Sequence, residues 1–191
     1  MRIRSSALLS LLLAFAASPA LAERYAIDGR HSRPVFSVSH LGFSTQFGRF
    51  DDVRGHIELD PAGGKGSVDI TIEAASIDMG ADDWDEHMKG PDFFNVAEFP
   101  TIIYRSDSVL FEDGVPKRID GRLAMLGQIR PVSVQVERYH CGLEVSTKRQ
   151  KCGADVSLTV KRSEFGMQKY IPFVPDEVRI SMPIEAYPES R

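Results

Sequence analysis

The sequence predicts an all-β protein: an antiparallel β-barrel of about eight strands with one short helix, following a cleaved N-terminal signal segment. Three observations carry this expectation. Apolar and polar residues alternate with period two through most of the chain, turn-forming clusters separate the alternating runs, and only one stretch has helix-compatible residues without alternation. Strands joined by short reversals are mostly antiparallel neighbours, and many of them with little helix make a closed barrel or a sandwich. Closure leaves no exposed strand edge, which favours the barrel.

The N-terminus carries Arg2 and Arg4, an uncharged and mainly apolar run from Ala7 to Ala17, then Ser18-Pro19 and the small-x-small triplet Ala20-Leu21-Ala22 before Glu23. These are the three zones of an export signal, with cleavage expected after Ala22. The run is much shorter than the roughly 20 residues that span a bilayer, so release is expected rather than stable membrane insertion. The division is therefore 1–22 as signal and 23–191 as one domain, long enough to bury a substantial core.

Alternation is clearest in Phe36–His40, His56–Asp60, Val68–Glu73, Val132–Val136, Val156–Val160 and Val178–Met182. Each reads as a half-buried strand. Asp60-Pro61-Ala62-Gly63-Gly64-Lys65-Gly66 and Glu112-Asp113-Gly114 read as tight reversals. Asp82 to Lys89 lacks the alternation and ends at Gly90-Pro91, which predicts a short helix or turn.

Of 23 basic and 27 acidic residues, removal of Arg2 and Arg4 leaves 21 basic, a net charge of −6. That balance argues against a nucleic-acid or anionic-membrane partner. Cys141 and Cys152 are the only cysteines. An exported chain meets oxidising conditions, so a disulfide across a polar hairpin tip is expected, stabilising by about 3 kcal/mol. Catalytic thiols are usually closer together, as in C-x-x-C.

His31, His40, His56, His87 and His140 are scattered without metal-ligand spacing, so no metal is expected. The acidic group Asp82, Asp83, Asp85 and Glu86 lacks the glycine and ligand spacing of a calcium loop and reads as solvated surface. Ser32 follows His31 and Ser39 precedes His40, but strand neighbours point to opposite faces and neither serine sits in a nucleophile elbow. No phosphate-binding loop or dinucleotide fingerprint is present, and no cofactor is expected. A stock of aromatics (Phe36, Phe43, Phe47, Phe50, Phe93, Phe94, Phe99) suits either a filled barrel or the wall of a hollow one, and residue pattern alone leaves both open.

Tyr25-x-x-Asp28-x-x-His31-Ser32, then Phe36-x-Val38-x-His40-x-Gly42-x-Ser44-x-x-x-Gly48-x-Phe50 and Gly55, resembles the opening signature of the YceI-like family of bacterial polyisoprenoid-binding proteins. The likeness continues through Ala75-Ser76-Ile77-Asp78, Asp85-x-His87-Met88-x-x-x-Asp92-Phe93-Phe94-Asn95, Gly121-x-Leu123-x-x-x-Gly127-x-x-x-Pro131, and Lys161-Arg162-Ser163-Glu164-Phe165-Gly166-Met167. It covers nearly all of Tyr25 to Ala186. The resemblance implies a lipocalin-like barrel with a long apolar tunnel for a polyisoprenoid or quinone-like lipid, in many members after export to the periplasm. Two departures stand out: Trp84 occupies a position where the family often has arginine, and the cysteine pair is not a general family feature.

Phe36, Phe43, Phe50, Phe93, Phe94 and Met125 are the expected wall of the ligand site, and His31, Ser32, His40, Asp85 and His87 are expected to position a polar head group or close the barrel. The leading expectation is a periplasmic lipid carrier without covalent catalysis and with an isoprenoid lipid as partner. Its alternatives are an enzyme using His87 and Asp85 on a prenyl or quinone lipid, and a stress-response barrel with no dedicated ligand. A homodimer stays open.

Overall fold

The computed structural model describes residues 22–189. The expected signal segment lies outside the described residues except for Ala22. The described chain forms one antiparallel sheet that closes on itself.

The first half of the chain supplies broken strands. β1 (Glu23–Ile27) and β2 (Val35–His40) lie end to end, as do β3 (Ser44–Phe50) and β4 (Val53–Asp60), and β5 (Lys65–Glu73) and β6 (Ile77–Asp78). β4 pairs with β1 and β5, while β3 pairs with β2 and β6. Five uninterrupted strands follow: β7 (Thr101–Glu112), β8 (Val115–Met125), β9 (Gln128–Leu143), β10 (Gln150–Lys161) and β11 (Glu177–Pro188). β5 pairs with β7, and β7 to β11 join successively as neighbours. β11 closes the sheet by pairing with both pieces of the first broken strand, Ala186 opposite Ile27 and Arg179 opposite Ser37. The result is the expected eight-stranded antiparallel barrel, three of its strands being interrupted.

The interruptions lie side by side and form a corner held by local polar groups. The Asp51 and Asp52 N–H groups donate to the Ser76 carbonyl and hydroxyl at 3.1 and 3.0 Å, and the Ser76 hydroxyl donates to the Glu73 carbonyl at 2.7 Å. At Gly29 a Cβ would come within 2.4 Å of the Val53 carbonyl oxygen, so only glycine allows the close approach of the two broken strands.

The stretch without alternation is α1 (Asp82–Lys89). Asp82, Asp83 and Asp85 in its first turn complement the helix dipole. Trp84 and Met88, four residues apart, pack on the barrel core, while Asp82, Asp83 and Glu86 face water. The opposite end of the barrel is plugged by Tyr25, Leu59 and Ala186, with Phe111 and Tyr139 packed against them. There the expected Cys141–Cys152 disulfide joins directly opposed residues of β9 and β10.

Candidate functional site

Residues two apart on a strand share a face. Val68, Ile70 and Ile72 of β5, Val156, Leu158 and Val160 of β10, and Val178, Ile180, Met182 and Ile184 of β11 therefore point inward together. They enclose a cavity of about 520 Å³, within the range of ligand pockets. The barrel is hollow because its deep positions, Tyr104 apart, carry mid-sized aliphatic side chains, whereas the phenylalanine rings gather near one end. Phe50 meets Phe94 edge-on at 5.2 Å, and Phe36 lies 5.9 and 6.4 Å from them. Gly48 makes room for this cluster, since a Cβ there would sit 2.3 Å from the Phe36 ring.

The mouth lies at the same end. It is bordered by the β2–β3 turn with Leu41, by α1 with Trp84, His87 and Met88, and by the segment at 166–175 with Lys169, Tyr170 and Val174. Phe93 bridges two of these borders, 4.9 Å from the His87 ring and 6.3 Å from Tyr170. The side chains of His40, Gln46, His87 and Lys169 place polar groups there, the Lys169 ammonium 3.0 Å from Asp92.

Deeper in, the polar groups are satisfied by the protein itself. The Tyr104 hydroxyl donates to the Ile119 carbonyl at 3.0 Å, and burial, followed by nearby Asp120 and Asp107, pushes its phenol well above the ordinary range. Arg162 is buried and donates to four backbone carbonyls: Pro175 and Val174 at 2.9 and 2.8 Å, Lys169 at 2.8 Å and Met167 at 3.3 Å. Burial holds its guanidinium below the ordinary arginine value, which is so high that it stays charged. Its bonds fix the mouth segment rather than reach into the cavity.

Seven of the expected residues line the cavity: Phe36, Phe50, Phe93, Phe94, Met125, His40 and His87. Four do not. Phe43 was expected in the wall but follows Leu41 and Gly42, both at positive φ, in the β2–β3 turn, and is 88% exposed. Ser32 lies at the corner, where its hydroxyl donates to the Glu185 carbonyl at 3.2 Å and accepts from the Glu185 N–H at 2.9 Å. His31 turns outward to Asp28 at 2.8 Å. The Asp85 carboxylate accepts from the Met79 N–H at 2.6 Å, which braces the entry to α1.

His31, Asp28 and Glu185 converge in a way that sequence spacing could not reveal. The Lys151 ammonium already stands among them, bonded to Glu185, 3.3 Å from Glu144 and 4.0 Å from Asp28. Burial would lower the Lys151 ammonium, but its hydrogen bonds to Glu185, Tyr187 and Glu144 prevail and raise it. Burial would raise Asp28, yet bonds from His31 and the Arg30 N–H, with Lys151 nearby, hold its carboxyl below the usual range. The cluster is a closed network of paired charges. Arg162 was legible in retrospect, because Val156, Leu158, Val160 and Arg162 occupy successive inward positions.

Residues 25–186 match the model of the YceI-like domain. The chain belongs to the YceI-like family. It is 31% identical over 176 residues to a UPF0312 protein of Pseudomonas aeruginosa, covering 90% of each chain. To protein YceI of Escherichia coli it is 30% identical over 178 residues, covering 91% of each. Among solved structures it is similar to BcnA of Burkholderia cenocepacia, with a TM-score of 0.68 at 24% identity over 83% of this chain and 98% of that one. It is also similar to a polyisoprenoid binding domain from Saccharophagus degradans implicated in plant cell wall breakdown. That match has a TM-score of 0.61 at 17% identity, over 89% of this chain and 100% of that one. The YceI-like barrel is thus kept at identities where few side chains are shared. Trp84, at a position where the family resemblance implies arginine, puts an indole on the cavity wall in place of a charge.

Proposed function

We propose that the protein is a periplasmic carrier that holds the tail of one polyisoprenoid or quinone-like lipid inside the barrel and performs no covalent chemistry. The observation that carries this reading is the cavity of about 520 Å³ with an aliphatic and aromatic wall and polar side chains at its mouth. Burial of apolar surface is worth about 25 cal/mol per Å², so a prenyl tail supplies affinity without a charged anchor. With Tyr104 and Arg162 engaged by backbone carbonyls, a polar head group is better served at the mouth by His40, Gln46, His87 and Lys169 than in the interior. The likeness to a polyisoprenoid binding domain supports the ligand class, and the expectation of a signal segment at 1–22, from the charged, apolar and small-residue zones of the sequence, supports export. His87 and Asp85 make a poor catalytic pair, since Asp85 is committed to the Met79 N–H.

Native mass spectrometry of protein purified from its host periplasm, with lipid extraction, tests the reading. A bound isoprenoid lipid, or its uptake on titration, is expected, and a barrel that takes up no prenyl lipid overturns it. Val156→Phe, which adds a ring at a deep lining position, is expected to abolish uptake while changing stability by about 1 kcal/mol or less, because the cavity accepts the added atoms.

A further inference from the structure

We propose that the mouth of the barrel is a docking surface for the neutral face of a lipid bilayer. Two segments form it. On the β2–β3 hairpin Leu41, Phe43 and Phe47 are 49%, 88% and 60% exposed, and on the segment at 166–175 Tyr170 and Phe173 are 49% and 72% exposed. The register Arg179 opposite Ser37 carries the chain entering β11 past the hairpin tip, so the segments are neighbours. Leu41 and Tyr170 also line the cavity, which makes the apolar surface continuous from interior to exterior.

Charge separates this rim from the barrel wall. Residues 41–47 contain no ionisable side chain, and residues 166–175 contain only Lys169, which is paired with Asp92. The outer wall, by contrast, carries ion pairs such as Arg105–Asp69 and Arg122–Asp107. Asp82, Asp83 and Glu86 on α1 beside the mouth oppose anionic head groups, so attraction rests on apolar insertion rather than charge.

A second copy of the chain fits less well. At about 200 Å² for a full aromatic side chain the five residues expose roughly 600 Å² together. A standard protein interface takes about 800 Å² per partner, of which roughly 450 Å² is apolar, so area alone admits a second copy and shape decides for the bilayer. The most exposed rings, Phe43 and Phe173, stand on turns, a shape suited to entering a deformable surface.

Co-sedimentation of the purified protein with phosphatidylcholine vesicles free of isoprenoid lipid tests the proposal. The protein is expected to bind, equally at low and high salt, and the Phe43→Ser/Phe173→Ser double variant to bind about tenfold more weakly or worse. Leu143→Ser/Val145→Ser, changing exposed residues on the β9–β10 tip, is expected to bind as the unaltered protein does. Emission from Trp84, the only tryptophan, verifies that each variant is folded. Absence of vesicle binding, binding that survives the double substitution, or a solution dimer that the double substitution dissociates would overturn the proposal, the last by assigning the rim to a second copy. Isoprenoid uptake without vesicle binding overturns docking alone. Vesicle binding without isoprenoid uptake supports docking and overturns the carrier reading.

Discussion

The two ends of the barrel are built from opposite materials. The plugged end gathers Tyr25, Leu59 and Ala186 under a disulfide and a network of paired charges around Lys151. The open end presents turns with exposed rings and a single paired charge, Lys169 with Asp92, and the buried Arg162 gathers the carbonyls of the mouth segment, with Ser163 bonded to Asp176 beside it. One end is fixed by a covalent bridge and interlocked charges, the other mainly by hydrogen bonds that radiate from one residue. That asymmetry suits the proposed carrier role, because the parts of a protein that move to admit a ligand are held by fewer bonds than the rest.

The largest expected effect is at the open end. Arg162→Ala leaves the carbonyls of Met167, Lys169, Val174 and Pro175 without their donor and is expected to cost about 3 kcal/mol or more in urea unfolding. Arg162→Lys is expected to recover only part of it, since an ammonium cannot reproduce the planar fork. Removing the bridge with Cys141→Ser/Cys152→Ser is expected to cost about 2–3 kcal/mol, from a loop closed over a separation of 11 residues. Hydrogen exchange at the mouth should be unaffected by it, and a loosened mouth would break the picture of two independent ends. At the corner, Ser32→Ala leaves the Glu185 N–H without its acceptor, while the Glu185 carbonyl keeps the Asp28 N–H, and is expected to cost about 1 kcal/mol.

The smallest effect is a local response to acid. Asp28 has its carboxyl lowered in the folded state, so its contribution is complete above the unfolded value of about 3.9 and is lost as pH falls through the folded value. Exchange protection of the Asp28 amide, which donates to the Glu185 carbonyl at 2.8 Å, should therefore weaken below about pH 4. In Asp28→Asn that local acid dependence should disappear. Asp176 is the open-end counterpart: burial would raise it, but the Ser163 N–H and hydroxyl and the Arg162 charge hold it low. The measurement must accordingly be read at the Asp28 amide rather than from global unfolding.

Much of the site was legible because it follows from local geometry. The alternation in Val68–Glu73, Val156–Val160 and Val178–Met182 names the inward residues directly, and those residues line the cavity. Asp82–Lys89 was legible as a short helix or turn, and the structure makes it a helix. Phe43 was misplaced because its chemical type fits a wall while its position, one residue past two positive-φ residues, turns it into solvent. Ser32 and Asp85 belong to motifs, yet their polar atoms serve the backbone of Glu185 and Met79. A motif reports that a residue type is needed and leaves its partner unnamed.

The sequence by itself determined that the chain is a set of antiparallel strands with one helix, and which face of each strand is apolar, because the pleat fixes alternate side chains on alternate faces. Tertiary structure alone decided that the barrel is hollow, which end opens, and that three strands break along one corner. Those features depend on how far apart closure holds opposite walls relative to the side chains between them, and on pairings as distant as Ile27 with Ala186. No local period encodes that distance.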